Sequence, residues 1–268
     1  MSTTVGLVAW RLPGRPQDSP RVAARVGAHR LQVDYGGHDR QYELEPVTLR
    51  RLKKAADDVG VAITAVAVNA LNDVGVVAAG SAARQTRESL VHRAVDAARA
   101  LNASVLLVPA FRRSAVHTPS DLTATASFLV QTAEVAGEAQ LPVVHENVLT
   151  PSALAVMRAA TDDSGVRFLF DIGNLHEHGV DWRAYLAGAG PALHSEAHIK
   201  DYRDRPAGGV ALGEGHVPLA RVLEALHRTG AVECLIVETD HRGHDDRQIR
   251  ADLQTLAHLM HDDDRSHG

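Results

Sequence analysis

Glu146, Asp171, His198 and Glu238 each stand on or next to the end of a short apolar run, in LPVVHE, VRFLFD, SEAHIK and ECLIVE. Runs of this kind read as β-strands. If the four strands lie parallel in a barrel, their ends share the face that carries active sites. Three carboxylates and one imidazole converging there can hold a divalent cation and still leave carboxylates placed to move protons. An oxygen-rich donor set with one imidazole suits Mn²⁺, Mg²⁺ or Co²⁺, with Zn²⁺ as a further option. Four protein ligands leave room on a six-coordinate ion for two adjacent substrate oxygens. One acid at a strand end usually reads as a loop anchor or cap; the weight lies in four such residues in register on consecutive strands.

The elements that must position them are legible along the chain. Strand-like runs fall at 5–9, 31–34, 62–69, 104–109, 142–146, 166–171, 195–200 and 233–238. Segments of helical period lie between and after them, near 20–27, 45–58, 84–101, 119–139, 152–160, 181–187, 217–228 and 247–261. Strict alternation implies a parallel α/β sheet, and eight units imply closure into a (β/α)8 TIM barrel. Thr118-Pro119-Ser120-Asp121 and Thr150-Pro151-Ser152 read as helix starts, and Gly60 and Gly230 as helix stops. No linker or repeat interrupts the pattern, so the reading is one barrel over residues 1–262 with a polar tail at 263–268. The long irregular stretches 69–84 and 201–216 follow strands and are expected over the catalytic face.

Composition narrows the function classes. The chain has 268 residues, 45% of them apolar, and a net charge of −5. Its basic residues are dispersed rather than massed in a stripe, so no nucleic-acid partner is expected. Cys234 is the sole cysteine; an intramolecular disulfide is excluded, and a buried thiol in a cytoplasmic protein is the expectation. The opening MSTTVGLVAW reads as a first strand rather than a signal peptide, and no apolar run approaches membrane-helix length.

Side-chain alternation along strands extends the site. With Glu146 directed into the barrel mouth, Val144 also points inward and His145 points towards the helices. Lys200 shares the side of His198 but lies further out, placed to bind a substrate oxygen or polarise a carbonyl. Asn147, His176 and Asn174 are expected at the substrate, with Trp10 as an apolar wall for a sugar face. Arg203, a candidate substrate contact, could with Arg205 bind a phosphate or carboxylate through paired contacts, against the plainer reading of a solvated loop. Asp34 and Asn69 end strands two and three and are placed to hydrogen-bond hydroxyls.

Five stretches resemble the xylose-isomerase-like superfamily of (β/α)8 barrels, which includes sugar phosphate isomerases and epimerases. They are HENV, FDIGN, HIKD, IVETD and LGEGHVPLARVLEAL, while GLVAW, LQVDYGG and LLVPAF match in pattern only. The resemblance implies one divalent metal, Mn²⁺ first, on Glu146, Asp171, His198 and Glu238. It also implies that Glu146 and Glu238 act as an acid/base pair on a metal-stabilised enediolate. Two departures stand out: Ser152 where ketose 3-epimerases carry Glu, and Asn174 where they carry His. Both point away from a free ketohexose and towards a cyclitol, a 3-keto-sugar or a specialised biosynthetic sugar.

The expected activity is therefore a metal-dependent isomerase or epimerase of a small carbohydrate or cyclitol. A dehydratase or lyase on an inosose or 3-keto-glycoside is the alternative, because loss of a β-hydroxyl starts from the same enediolate. An abasic-site endonuclease would need further histidines where Asp34, Asn69, Pro109 and Asn174 stand. A non-catalytic binding barrel would be favoured by loss of one of the four ligands. By resemblance, a homo-oligomer is also expected.

Overall fold

Eight parallel strands form the frame: β1 Thr4–Val8, β2 Arg30–Asp34, β3 Ala62–Ala67, β4 Val105–Pro109, β5 Val143–Glu146, β6 Arg167–Asp171, β7 Leu193–Ile199 and β8 Cys234–Val237. A computed structural model describes residues 4–36, 45–78, 80–203 and 208–265. The strands pair in chain order, and β1 closes on β8. Among the described residues eight longer helices cover the outside: α1 Ser19–Val26, α2 Pro46–Val59, α3 Ser81–Leu101, α4 Pro119–Gly137, α5 Pro151–Thr161, α6 Trp182–Ala189, α7 Leu219–Thr229 and α8 Asp246–Arg265. The chain is a single (β/α)8 barrel. Its last helix reaches Arg265, so it includes residues 263–265 of the stretch read as a polar tail.

The strands read as nearly continuous apolar runs because both their faces are covered. On β4, Leu106 and Val108 join the core beneath the helices, whereas Leu107 joins a separate interior cluster with Ala65, Ala67, Val105, Val144 and Leu169. That cluster fills one side of the barrel. Outside, Thr118 closes a capping box with Asp121, and the Thr150 hydroxyl accepts from Ala153 N. Gly60 and Gly230 end α2 and α7 at φ 67° and 63°, a region that a side chain disfavours.

Two segments expected to be irregular hold structure. Leu71–Val74 forms a short helix after β3, and Asp201–Arg203 pairs with Gly208–Val210 as a hairpin after β7. The Asp201 carboxylate ties this segment down. It accepts from the backbone N–H of Tyr202 and Val217 through Oδ1, and of Gly213 and Gly215 through Oδ2. A side chain at Gly215 would run into that carboxylate, which explains the glycine.

The barrel has two breaks of register. Leu31 faces Ile63 and Gln32 faces Ala65, so β3 carries one additional residue, Thr64. Phe168 faces Leu193 and Phe170 faces Ala197, so β7 carries two additional residues just before Ala197. Such irregularities re-aim side chains.

Candidate active site

Glu146 and Asp171 are the last residues of β5 and β6, His198 is the penultimate residue of β7, and Glu238 follows β8. All four are buried, and one ligand atom from each lies within 4.8 Å of the others. His198 Nδ1 stands 3.4 Å from Glu238 Oε2, 3.5 Å from Asp171 Oδ2 and 3.8 Å from Glu146 Oε1. It makes no hydrogen bond, although it is buried. A buried ring nitrogen left without a hydrogen bond and facing three carboxylates is an arrangement that a divalent cation satisfies. The donor set thus fits the metal that the residue types imply.

Neighbouring donors hold the carboxylates in place. Asn174 Nδ2 donates to Glu146 Oε1 at 2.8 Å and to Asp171 Oδ2 at 2.9 Å, while its backbone N–H donates to Asp171 Oδ1 at 2.8 Å. Lys200 Nζ lies 2.6 Å from Glu238 Oε2 and 2.9 Å from Asp171 Oδ2. Trp10 Nε1 donates to Glu238 Oε1 at 2.9 Å. The Lys200 stem runs directly over Gly173, where any Cβ would collide with it. This contact gives the glycine of FDIGN a physical role.

Charge separates the two glutamates. Burial, with Glu238 and Asp171 nearby, pushes the Glu146 carboxyl up to about 7 despite the opposing His198. Glu238 is buried too, but the Lys200 ammonium and then the His198 ring outweigh burial and hold it well below the ordinary carboxylate range. Burial disfavours charge on His198 and Lys200, yet the surrounding carboxylates raise both.

A cleft of about 220 Å³ opens over Glu146 and Glu238 and is lined by Trp10, Asp34, Asn69, Asn174 and Lys200 among others. The structure therefore brings together the four expected ligands with Lys200, Asn174 and Trp10. Asn147, His176 and Arg203 are not among the residues lining this cleft. Asn147 is buried just after β5, where its Oδ1 accepts from Leu149 N and the Tyr185 hydroxyl. Arg203 lies on the exposed hairpin and donates to the Glu214 carbonyl. Arg205 lies outside the described residues.

The guanidiniums that do line the cleft are Arg11, Arg112 and Arg242, from the loops after β1, β4 and β8. Sequence reading passed over them because loop arginines have no periodic pattern; their position just past strand ends was the available signal. Arg112 holds a left-handed backbone, φ 49°, and pairs with Asp73 at 2.8 Å. Of the two stretches expected over the site, the one after β3 contributes Asn69 and Asn72, whereas no described residue of 201–216 lines the cleft.

Comparison with known proteins places the chain. It belongs to the xylose isomerase-like TIM barrel family, whose model matches residues 20–259. It is 31% identical over 256 residues to the 2-epi-5-epi-valiolone 7-phosphate 2-epimerase of Actinoplanes sp., covering 95% of this chain and 93% of that one. Among solved structures, a D-tagatose 3-epimerase-like protein superposes with a TM-score of 0.80 at 17% identity, covering 99% of this chain and 100% of the other. The IOLI protein with a zinc atom superposes with a TM-score of 0.78 at 12% identity, covering 96% of this chain and 98% of that one. At such identities the structural matches speak for the fold alone.

Proposed function

We propose that this chain is a divalent-metal-dependent epimerase of a phosphorylated cyclitol ketone or keto-sugar, acting through an enediolate. The observation that carries the reading is the convergence of Glu146, Asp171, Glu238 and His198 Nδ1 in one cleft. Those four residues would hold the cation, Mn²⁺ first, with Mg²⁺, Co²⁺ or Zn²⁺ as competitors. When bound, such a cation would supply Lewis acidity that stabilises negative charge developing on the substrate.

The chain's own residues supply the proton transfers. Glu238 is kept ionised by Lys200, so it is suited to take the proton from the carbon beside the carbonyl. Glu146, the other carboxylate of the pair, is suited to return one from the other side of the substrate plane. Return of the proton to the same carbon from the opposite face inverts it. Lys200 and Asn174 bridge the acids and position them. Trp10 fixes Glu238 and walls the cleft.

The phosphate reading has two supports. The Actinoplanes relative is named for a 7-phosphate substrate, and Arg11, Arg112 and Arg242 line the cleft of this chain. Guanidinium forks match phosphate oxygens.

The test is to incubate the Mn²⁺-loaded protein with phosphorylated and unphosphorylated pairs of cyclitol ketones and ketoses, following products by proton NMR. The expected result is an epimer, formed faster from the phosphorylated member of a pair, with Arg112→Met raising KM for that member alone. Formation of an enone with loss of a hydroxyl would replace epimerisation with dehydration. No turnover of any pair by protein with bound metal would overturn the reading.

A further inference from the structure

Beneath the four clustered residues lies a second buried polar group. Glu196 stands on β7 two residues before His198, one layer deeper in the barrel, and is 4% exposed. Gln32 on β2 is 1% exposed and Thr64 on β3 is 4% exposed. Gln32 Nε2 donates to Glu196 Oε2 at 2.8 Å, and the Thr64 hydroxyl donates to the same oxygen at 3.0 Å. Arg30 Nη1 lies 3.8 Å from the other oxygen, Oε1. On its far side, Gln32 Oε1 lies 2.8 Å from His198 Nε2.

The chemistry of these groups fixes the direction of the chain. A carboxylate offers only acceptors, so the amide nitrogen of Gln32 must face Glu196. Its carbonyl oxygen must then face His198, and that oxygen also only accepts. His198 must therefore present Nε2–H downward, which leaves Nδ1 as the nitrogen facing Glu146, Asp171 and Glu238. Had the amide been reversed, Nε2 would have had to accept and Nδ1 would have carried the hydrogen.

Both register breaks serve this arrangement. The additional residue of β3 is Thr64 itself, and Ala65 beside it also lies in the barrel interior. In regular alternation one of the two would face the helices. The additional residues of β7 lie between Leu193 and Ala197, immediately around Glu196. A buried acid in a barrel interior is costly unless fully bonded. Two strand irregularities that deliver its partners mark it as more than incidental.

We infer that Glu196 and Gln32 are positioning residues that fix the tautomer and orientation of His198 as a metal ligand. Glu196 orients the amide, the amide orients the ring, and Thr64 helps to hold the carboxylate. The inference rests on the proposed metal site and names what tunes it.

The test is divalent-metal affinity by calorimetry on the full chain, with the imidazole N–H signals of the Zn²⁺-loaded protein read by NMR. Glu196→Gln is nearly isosteric but lets the Gln32 amide turn over, and Gln32→Leu removes the acceptor. Both variants are expected to bind metal about 10- to 100-fold more weakly. Glu196→Gln is also expected to lose the slowly exchanging Nε2–H signal of His198. Thr64→Val removes one donor to Glu196 without freeing the amide, so it should weaken metal binding less than either of these variants. Wild-type affinity in both Glu196→Gln and Gln32→Leu would overturn the inference, as would weaker binding with the Nε2–H signal intact. Failure of the wild-type chain itself to bind metal would instead overturn the proposed site.

Discussion

The barrel interior has two unlike sides. Around β3 to β6 it is an apolar plug of Ala65, Ala67, Val105, Leu107, Val144 and Leu169. Across from it, β2 and β7 place Gln32, Glu196 and His198 in one polar column, with Thr64 of β3 bonded to its acid. The plug gains stability from burial, which is non-directional and tolerates exchange of similar shapes. The column gains little net stability for each bond and loses much when one partner is removed. Evolution of a site needs the second kind of interior, because only directional bonds can fix which ring nitrogen faces the carboxylates. The plug then supplies the rigidity against which the column is held.

That contrast can be broken from either side, and the largest effect belongs to chemistry at the mouth. Glu146→Gln and Glu238→Gln should each slow exchange of the substrate proton by about 10²- to 10⁴-fold while the far-ultraviolet circular dichroism stays that of wild type. Chelation of the metal should slow the unmodified protein in the same way, and added Mn²⁺ should restore it.

The plug should respond in the opposite sense. Leu107→Ala should cost about 2–5 kcal/mol in denaturant unfolding through the cavity it leaves, with metal affinity unchanged. A loss of affinity there would show that plug and column are not separable.

Between the two stands Gly173, where an added Cβ would drive into the Lys200 stem. Gly173→Ala should cost about 1–3 kcal/mol by overpacking. It should also withdraw Lys200 from Glu238, seen as an upward shift of the Glu238 titration by NMR. An unmoved titration would show that the stem gives way without disturbing the ion pair.

A further effect concerns pH. Burial holds His194 neutral down to about 4, against an ordinary value of 6.5. A histidine depressed on folding gives stability that is fully present above 6.5 and lost as pH falls towards 4. Over that window the unfolded chain binds one more proton than the folded one. His194→Asn should therefore flatten the rise of unfolding free energy with pH by about 1.4 kcal/mol per pH unit. An unchanged slope would remove His194 from the acid response.

Much of this architecture is readable from residues alone, for definite reasons. Strand ends such as HENV, FDIGN, HIKD and IVETD join an apolar run to a chelating side chain, and that juxtaposition marks both the element and its functional end. Thr118, Thr150, Gly60 and Gly230 punctuate helices by local chemistry that needs no tertiary context. Gln32 and Glu196 were not readable. They lie 164 residues apart, inside strands, where a polar residue has no local signature and its partner is supplied by barrel closure. Thr64 needs a register break that no sequence period announces. Arg203 looked available in its loop, but an exposed hairpin turned it towards the Glu214 carbonyl. Asn147 looked equally close to the site, yet its amide oxygen is taken up by Leu149 N and the Tyr185 hydroxyl.

In the proposed chemistry Glu146 and Glu238 move a carbon-bound proton beside a bound divalent cation. The most direct measurement is deuterium incorporation from D₂O into a turned-over substrate by Mn²⁺-loaded protein, followed by proton NMR for the wild type and for Glu146→Gln and Glu238→Gln. Deuterium is expected at the carbon next to the carbonyl, dependent on metal and lost or reduced to one face in each variant. Turnover with no deuterium at that carbon, or incorporation unaffected by both substitutions, would contradict it.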